Sequence, residues 1–185
     1  MSRFWSIRRG RPAGASAAFE RVEHLEPVEL YTAAALVTGV VEANGRRLSD
    51  LLNEAPALWL RDVSVTPYAS GVAVSPGQDG QWQSVDLVDV LLVMPPDHAS
   101  SKGMRLHRRQ QRARISIGDF IVTGNLHLPS GVTHQEYRAR RPVAFLPVTQ
   151  ATAYSTTDPA WERVAPVLLV NSTRVTDIQD VLTIV

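Results

Sequence analysis

A string that recurs within one chain narrows the available folds more than any compositional figure does. Leu36-Val37-Thr38-Gly39 returns as Ile121-Val122-Thr123-Gly124, and Val90-Leu91-Leu92-Val93 returns as Val167-Leu168-Leu169-Val170. Between those anchors Trp59-Leu60 lines up with Phe145-Leu146. Two similar units in tandem imply two docking faces or one pseudo-symmetric surface, so the repeat speaks to architecture before chemistry. The 185 residues suffice for two small domains. Their 44% hydrophobic and 20% charged content is that of a globular chain rather than a disordered one.

The local pattern is that of an all-β protein. Leu30 to Val41 is apolar and rich in small and β-branched residues, and Asn44-Gly45 is a turn signal of the kind that joins antiparallel strands. Leu48, Leu51 and Leu52 fall at helical spacing and predict a single helical turn. Ala57 to Leu60 and Val63 to Val65 resume the strand pattern. A long hairpin loop over Tyr68 to Trp82 follows, and Val85 to Met94 reads as a buried strand stopped by Pro95-Pro96. The second unit repeats the plan. Ile115 to Leu128 is strand-like, Pro129-Ser130-Gly131 is a turn, and Val132 to Tyr137 is a helical-turn variant. Strands follow at Phe145 to Tyr154 and Val164 to Asn171, and the apolar Val181 to Val185 reads as a last one. The expected organisation is a mobile basic arm (1–27), an acidic β-domain (28–96), a polar linker (97–104) and a second β-domain with a basic start (105–185). Each domain is expected to be a small, strongly bent sheet or half-open barrel with short helical turns.

Several classes of function are excluded or disfavoured. Without cysteine there is no disulfide framework, thiol chemistry or cysteine-based zinc site. The longest strongly apolar stretch, Ala33 to Val41, is far short of the roughly 20 residues of a membrane helix. Ser6-Ile7-Arg8-Arg9 looks like the start of a twin-arginine signal, yet Gly10-Arg11-Pro12 stands where the apolar region should be. The expected location is cytoplasmic, with no membrane span. No nucleophile elbow, phosphate loop or dinucleotide fingerprint occurs. His127 and His134 flank a turn, a pairing that suits exposed polar residues better than a metal site. Asp86 and Asp89 would point to opposite faces of a strand, which argues against acid/base teamwork. No catalytic residue, metal or cofactor is implied.

Charge is segregated along the chain. Residues 28–98 hold nine acids against three Arg, whereas residues 99–145 hold nine Lys or Arg against two acids. One basic cluster comprises Lys102, Arg105, His107, Arg108, Arg109, Arg112 and Arg114; a second comprises Arg138, Arg140 and Arg141. Arginine forks suit carboxylate or phosphate. Trp5 is a candidate anchor in the arm. Acidic and basic halves could join unit two of one copy to unit one of the next, a heterologous contact. The alternatives are a solvated surface, nucleic-acid binding by the same arginines, and a small-molecule sensor with its ligand held between the units.

Two resemblances add to this. Val37-Thr38-Gly39-Val40-Val41, Arg47-Leu48-Ser49-Asp50-Leu51-Leu52-Asn53 and Leu60-Arg61-Asp62-Val63 resemble a family of small uncharacterised bacterial β-domains. Phe145-Leu146-Pro147-Val148-Thr149-Gln150-Ala151 and Val167-Leu168-Leu169-Val170-Asn171 resemble that family's other half. The resemblance implies a fold type and a bacterial source but no activity. A weaker likeness, carried by Gly39, Asp50, Asn53 and Leu60-Arg61-Asp62, is to the Sm-like barrel, whose members form rings on single-stranded RNA. The chain departs from that pattern: the second Arg-Gly motif is absent, and unit two has His134 and Tyr137 where unit one has Asp50 and Asn53. The expected function is a non-enzymatic protein-binding scaffold or assembly subunit, with a protein partner or self-association through Trp5 and the arginine clusters.

Overall fold

Apolar residues at every second position lay down strands, and short polar breaks fold them back on one another. The computed structural model describes residues 8–9, 25–76, 80–95, 109–140 and 143–181. The protein is all-β, and the contacts divide it into two units between Val90 and Leu91. Unit 1 contains β1 (Arg8–Arg9), β2 (Leu25–Thr32), β3 (Ala35–Glu42), α1 (Leu48–Glu54), β4 (Ala57–Pro67) and β5 (Trp82–Asp86). Its strands lie side by side in the order β1-β5-β4-β3-β2, every pair antiparallel. Unit 2 contains β6 (Val90–Met94), β7 (Arg109–Ile117), β8 (Phe120–Leu128), α2 (His134–Arg140), β9 (Phe145–Ser155), β10 (Glu162–Asn171) and β11 (Val175–Asp180). Its order is β6-β10-β9-β8-β7-β11, again antiparallel. The strands do not close into a barrel.

The two units share an element plan and one unusual device. In each, a hairpin leads through a seven-residue helix into an 11-residue strand, β4 or β9. Halfway along that strand a residue takes positive φ, Asp62 at 55° and Gln150 at 49°. The register shifts there, between Thr38 and Val40 in unit 1 and between Thr123 and Asn125 in unit 2. An extra residue in one strand of a pair is a β-bulge, and here it switches the parity of the buried face. Leu58 and Leu60 are buried before the bulge and Val63 after it; Leu146 and Val148 before, Ala151 and Ala153 after. Opposite each bulge stands a repeat glycine. A Cβ on Gly39 would lie 3.1 Å from the Arg61 carbonyl oxygen, and one on Gly124 would lie 2.5 Å from Val148 Cγ1. Aligning the bulges pairs Trp59 with Pro147 and Leu58 with Leu146, two positions off the match expected from the sequence.

Other expectations are corrected by local chemistry. The apolar stretch Leu30 to Val41 is two strands, because the Thr32 hydroxyl donates to the Ala35 carbonyl (2.9 Å) and accepts from the Ala35 amide (3.1 Å). Asn44-Gly45 does turn, with both φ positive, but it leads into α1 rather than a second strand. The stretch Val85 to Met94 breaks at a 3-10 turn, Leu87–Asp89, whose Leu87 amide donates to the Pro56 carbonyl. Beyond that break Leu92 and Val93 pair with β10, so the unit boundary precedes the 97–104 segment. Ile115 to Leu128 is likewise two strands, joined by a tight turn in which Gly118 has φ 53°. β11 spans Val175–Asp180, with a register shift against β7 between Val175 and Asp177. Residues 182–185, the proposed arm but for Arg8–Arg9 and 25–27, and the whole of the proposed linker lie outside the described residues.

Candidate functional site

The alternation of β7 sorts its side chains by chemistry. Ala113, Ile115 and Ile117 point into the core of unit 2, which leaves Arg112 and Arg114 exposed on the other face. Across the sheet, Arg112 stands opposite Asn125 and Arg114 opposite Thr123 of β8, while Arg114 also faces Gln179 of β11. The same face is tied together by side-chain hydrogen bonds. Asn125 Nδ2 donates to Gln150 Oε1 at 2.8 Å and lies 3.4 Å from Gln110 Oε1. The His127 Nε2 to Thr149 Oγ1 distance is 2.7 Å, and His127 is only 8% exposed. At the β11 edge, Gln179 Nε2 donates to Asp177 Oδ2 at 2.7 Å. Two guanidinium forks thus rise from an amide and hydroxyl layer held in place by its own bonds. Such a surface offers bidentate donors to carboxylate or phosphate.

The residues expected from the sequence divide three ways. Arg109, Arg112 and Arg114 lie on β7 and are exposed. Arg138 and Arg140 lie on α2, a helix whose first turn is closed by Thr133 and Glu136, but their side chains are outside the description. Trp5, Lys102, Arg105, His107, Arg108 and Arg141 fall outside the described residues altogether. Gln110, Asn125, Thr149 and Gln150 were not expected. Their signal is present as polar residues at outward positions of strands, yet only the bulge brings Gln150 beside Asn125.

Unit 1 carries a different feature, a cleft of about 320 Å³. Its apolar lining residues include Val41, Leu51, Leu58, Trp59 and Trp82, and its charged ones are Glu42, Arg46 and Glu54. Helix α1 supplies Leu51 and Glu54; β4 and β5 supply the two tryptophans. Arg46 and Glu54 form an ion pair at the rim. The Arg61 guanidinium lies over the Trp82 ring, 5.8 Å from its centroid, and Arg61 Nε is 3.7 Å from Asp62 Oδ2.

Among the described residues no three His, Asp or Glu side chains are placed to hold a metal ion. His127 is engaged by Thr149, and the side chain of His134 is outside the description. No helix of the described residues is long and apolar enough to cross a membrane. Compared with known proteins, the chain matches no family model, no curated protein and no solved structure.

Proposed function

We propose that this protein is a non-enzymatic binding module, two copies of one β unit in tandem, that docks acidic protein surfaces on the outer face of unit 2. The observation that carries the proposal is the exposed pair Arg112 and Arg114 on one strand face. Two positions along a strand place the guanidinium stems about 7 Å apart, and the hydrogen-bonded amide layer beneath gives them a fixed footing. The common element order and the matched bulges support the duplicated unit, and with it the likeness to small bacterial β-domains. The partner we favour is a second copy, because residues 28–98 carry nine acids against three Arg.

Size-exclusion chromatography with light scattering tests this at about 150 mM salt, where distant exposed charges are largely screened. A defined multimer that the double variant Arg112→Glu, Arg114→Glu shifts toward monomer is the expected result. A multimer indifferent to that reversal refutes the docking face. A second reading, nucleic-acid binding, draws on the same guanidiniums, which serve phosphate as well as carboxylate. It gains if the protein co-purifies with nucleic acid and releases it steeply as salt rises.

A further inference from the structure

The arginine face of unit 2 needs a counterpart, and the uncommitted acids of unit 1 point to one. We propose that the face docks the 3-10 turn of unit 1 in a second copy, Leu87–Asp89 with the preceding Asp86, an inference that rests on the docking reading above. Other acids of unit 1 already have partners. Glu29 accepts from the Tyr31 hydroxyl, Glu54 from the Arg46 guanidinium and Asp62 from the Gly80 amide, and Glu42 is engaged as well. The carboxylates of Asp86 and Asp89 have no hydrogen bond or ion pair among the described residues. Leu87 anchors the turn, 4% exposed and with its amide on the Pro56 carbonyl at 2.9 Å. Val88 is left 58% exposed between the two acids.

Spacing and chemistry match across this contact. Asp86 and Asp89 are three residues apart, which at the roughly 2 Å rise of a 3-10 turn separates their backbones by about 6 Å. Arg112 and Arg114 are two residues apart on β7, about 7 Å. Both guanidiniums are exposed and also have no partner among the described residues. An apolar pair lies beside them on the same face. Ile121 of β8 stands opposite Ser116 of β7 on one side and Tyr154 of β9 on the other, and Ile121 and Tyr154 are both half-buried. A valine flanked by two carboxylates thus meets an isoleucine and a tyrosine flanked by two guanidiniums. Asp177 of β11, also opposite Ser116, bounds the face on its far side and steers the acidic turn toward β8. The contact joins unlike surfaces of like molecules, so each copy offers one turn and one face.

Light scattering of the full chain and of two charge-reversed variants tests the pairing at about 150 mM salt, where the screening length of about 8 Å leaves close ion pairs attractive. Arg112→Glu with Arg114→Glu, and Asp86→Arg with Asp89→Arg, are each expected to be monomeric alone, with circular dichroism showing the native fold. Mixed in equal amounts, they are expected to recover the native multimer, because each then offers the other a turn and a face of opposite charge. Val88→Ser is expected to weaken association severalfold with every charge in place. A multimer that the arginine reversal leaves intact refutes the docking face itself. A multimer that the arginine reversal dissociates and the aspartate reversal does not overturns this pairing alone, as does a folded mixture that stays monomeric. A native chain that is monomeric, or a multimer that nuclease dissolves, also overturns it; the first outcome leaves acidic surfaces of other proteins as the docking partner, and the second assigns the arginines to phosphate.

Discussion

Gly124→Ala is the substitution that most directly probes the bulge architecture. A Cβ at this position would stand 2.5 Å from Val148 Cγ1, 2.9 Å from the Thr149 carbonyl oxygen and 3.1 Å from Ala151 Cα. Two of those three neighbours are backbone atoms of β9, so relief requires the strands to part. Overpacking of this kind costs about 1–3 kcal/mol. Alanine also restricts the unfolded chain, which returns about 0.4–1 kcal/mol. The net expectation is a loss of about 1–2 kcal/mol, or about 4–8 °C in Tm per kcal/mol for a unit of this size. Gly39→Ala provides the contrast. Its nearest contacts are 3.1 Å to the Arg61 carbonyl oxygen and 3.2 Å to Leu60 Cβ, so a shift of a few tenths of an ångström suffices and stability stays near that of the native chain. Urea unfolding followed by circular dichroism measures both, and hydrogen exchange assigns the loss to unit 2. A Gly124→Ala protein as stable as the native one, or a Gly39→Ala protein that is the weaker of the two, refutes the argument.

Thr133→Ala should cost about 1 kcal/mol, because the hydroxyl accepts the Glu136 amide (3.2 Å) while the Glu136 carboxylate accepts the Thr133 amide (2.8 Å); faster exchange of the α2 amides is the readout. Burial pushes the Tyr68 phenol up to about 12, with a hydrogen bond to the Thr32 backbone opposing the shift. The native chain therefore keeps that proton where an unfolded tyrosine has released it. Its contribution to stability is intact below about pH 10 and is lost as pH rises through about 12. Comparing urea midpoints of the native chain and Tyr68→Phe across that range measures this: loss of the Thr32 hydrogen bond gives a constant offset, and the difference changes with pH only on the alkaline arm.

How much of this was legible in the sequence depends on how local the cause was. The outward arginines of β7 could be read, because Ala113, Ile115 and Ile117 alternate with Arg112 and Arg114 in a regular strand. The bulges were also written in the chain, as the skipped beat between Leu60 and Val63 and between Val148 and Ala151, but a shift of parity looks like two strands until the partner strand is known. The Ala33-Ala34 turn left no glycine or proline to mark it, since the Thr32 side chain closes it. The cleft was invisible for another reason. Trp59 and Trp82 lie on either side of a long hairpin loop, and only the pairing of Arg61 with Trp82 makes them neighbours. Asp86 and Asp89 do not share one continuous strand, because the 3-10 turn Leu87–Asp89 interrupts it, so strand alternation does not fix which faces they occupy.

The outermost strand of unit 2 bears on how this protein behaves when concentrated. An exposed strand edge is a template for another chain, and natural sheets blunt such edges with irregular register and charge. β11 has both: its ladder to β7 slips between Val175 and Asp177, and Asp177 and Asp180 are exposed along its six residues. A strand from a neighbouring molecule would meet a broken hydrogen-bond row and two carboxylates it must desolvate. The edge is thus guarded against fibrous, strand-by-strand growth.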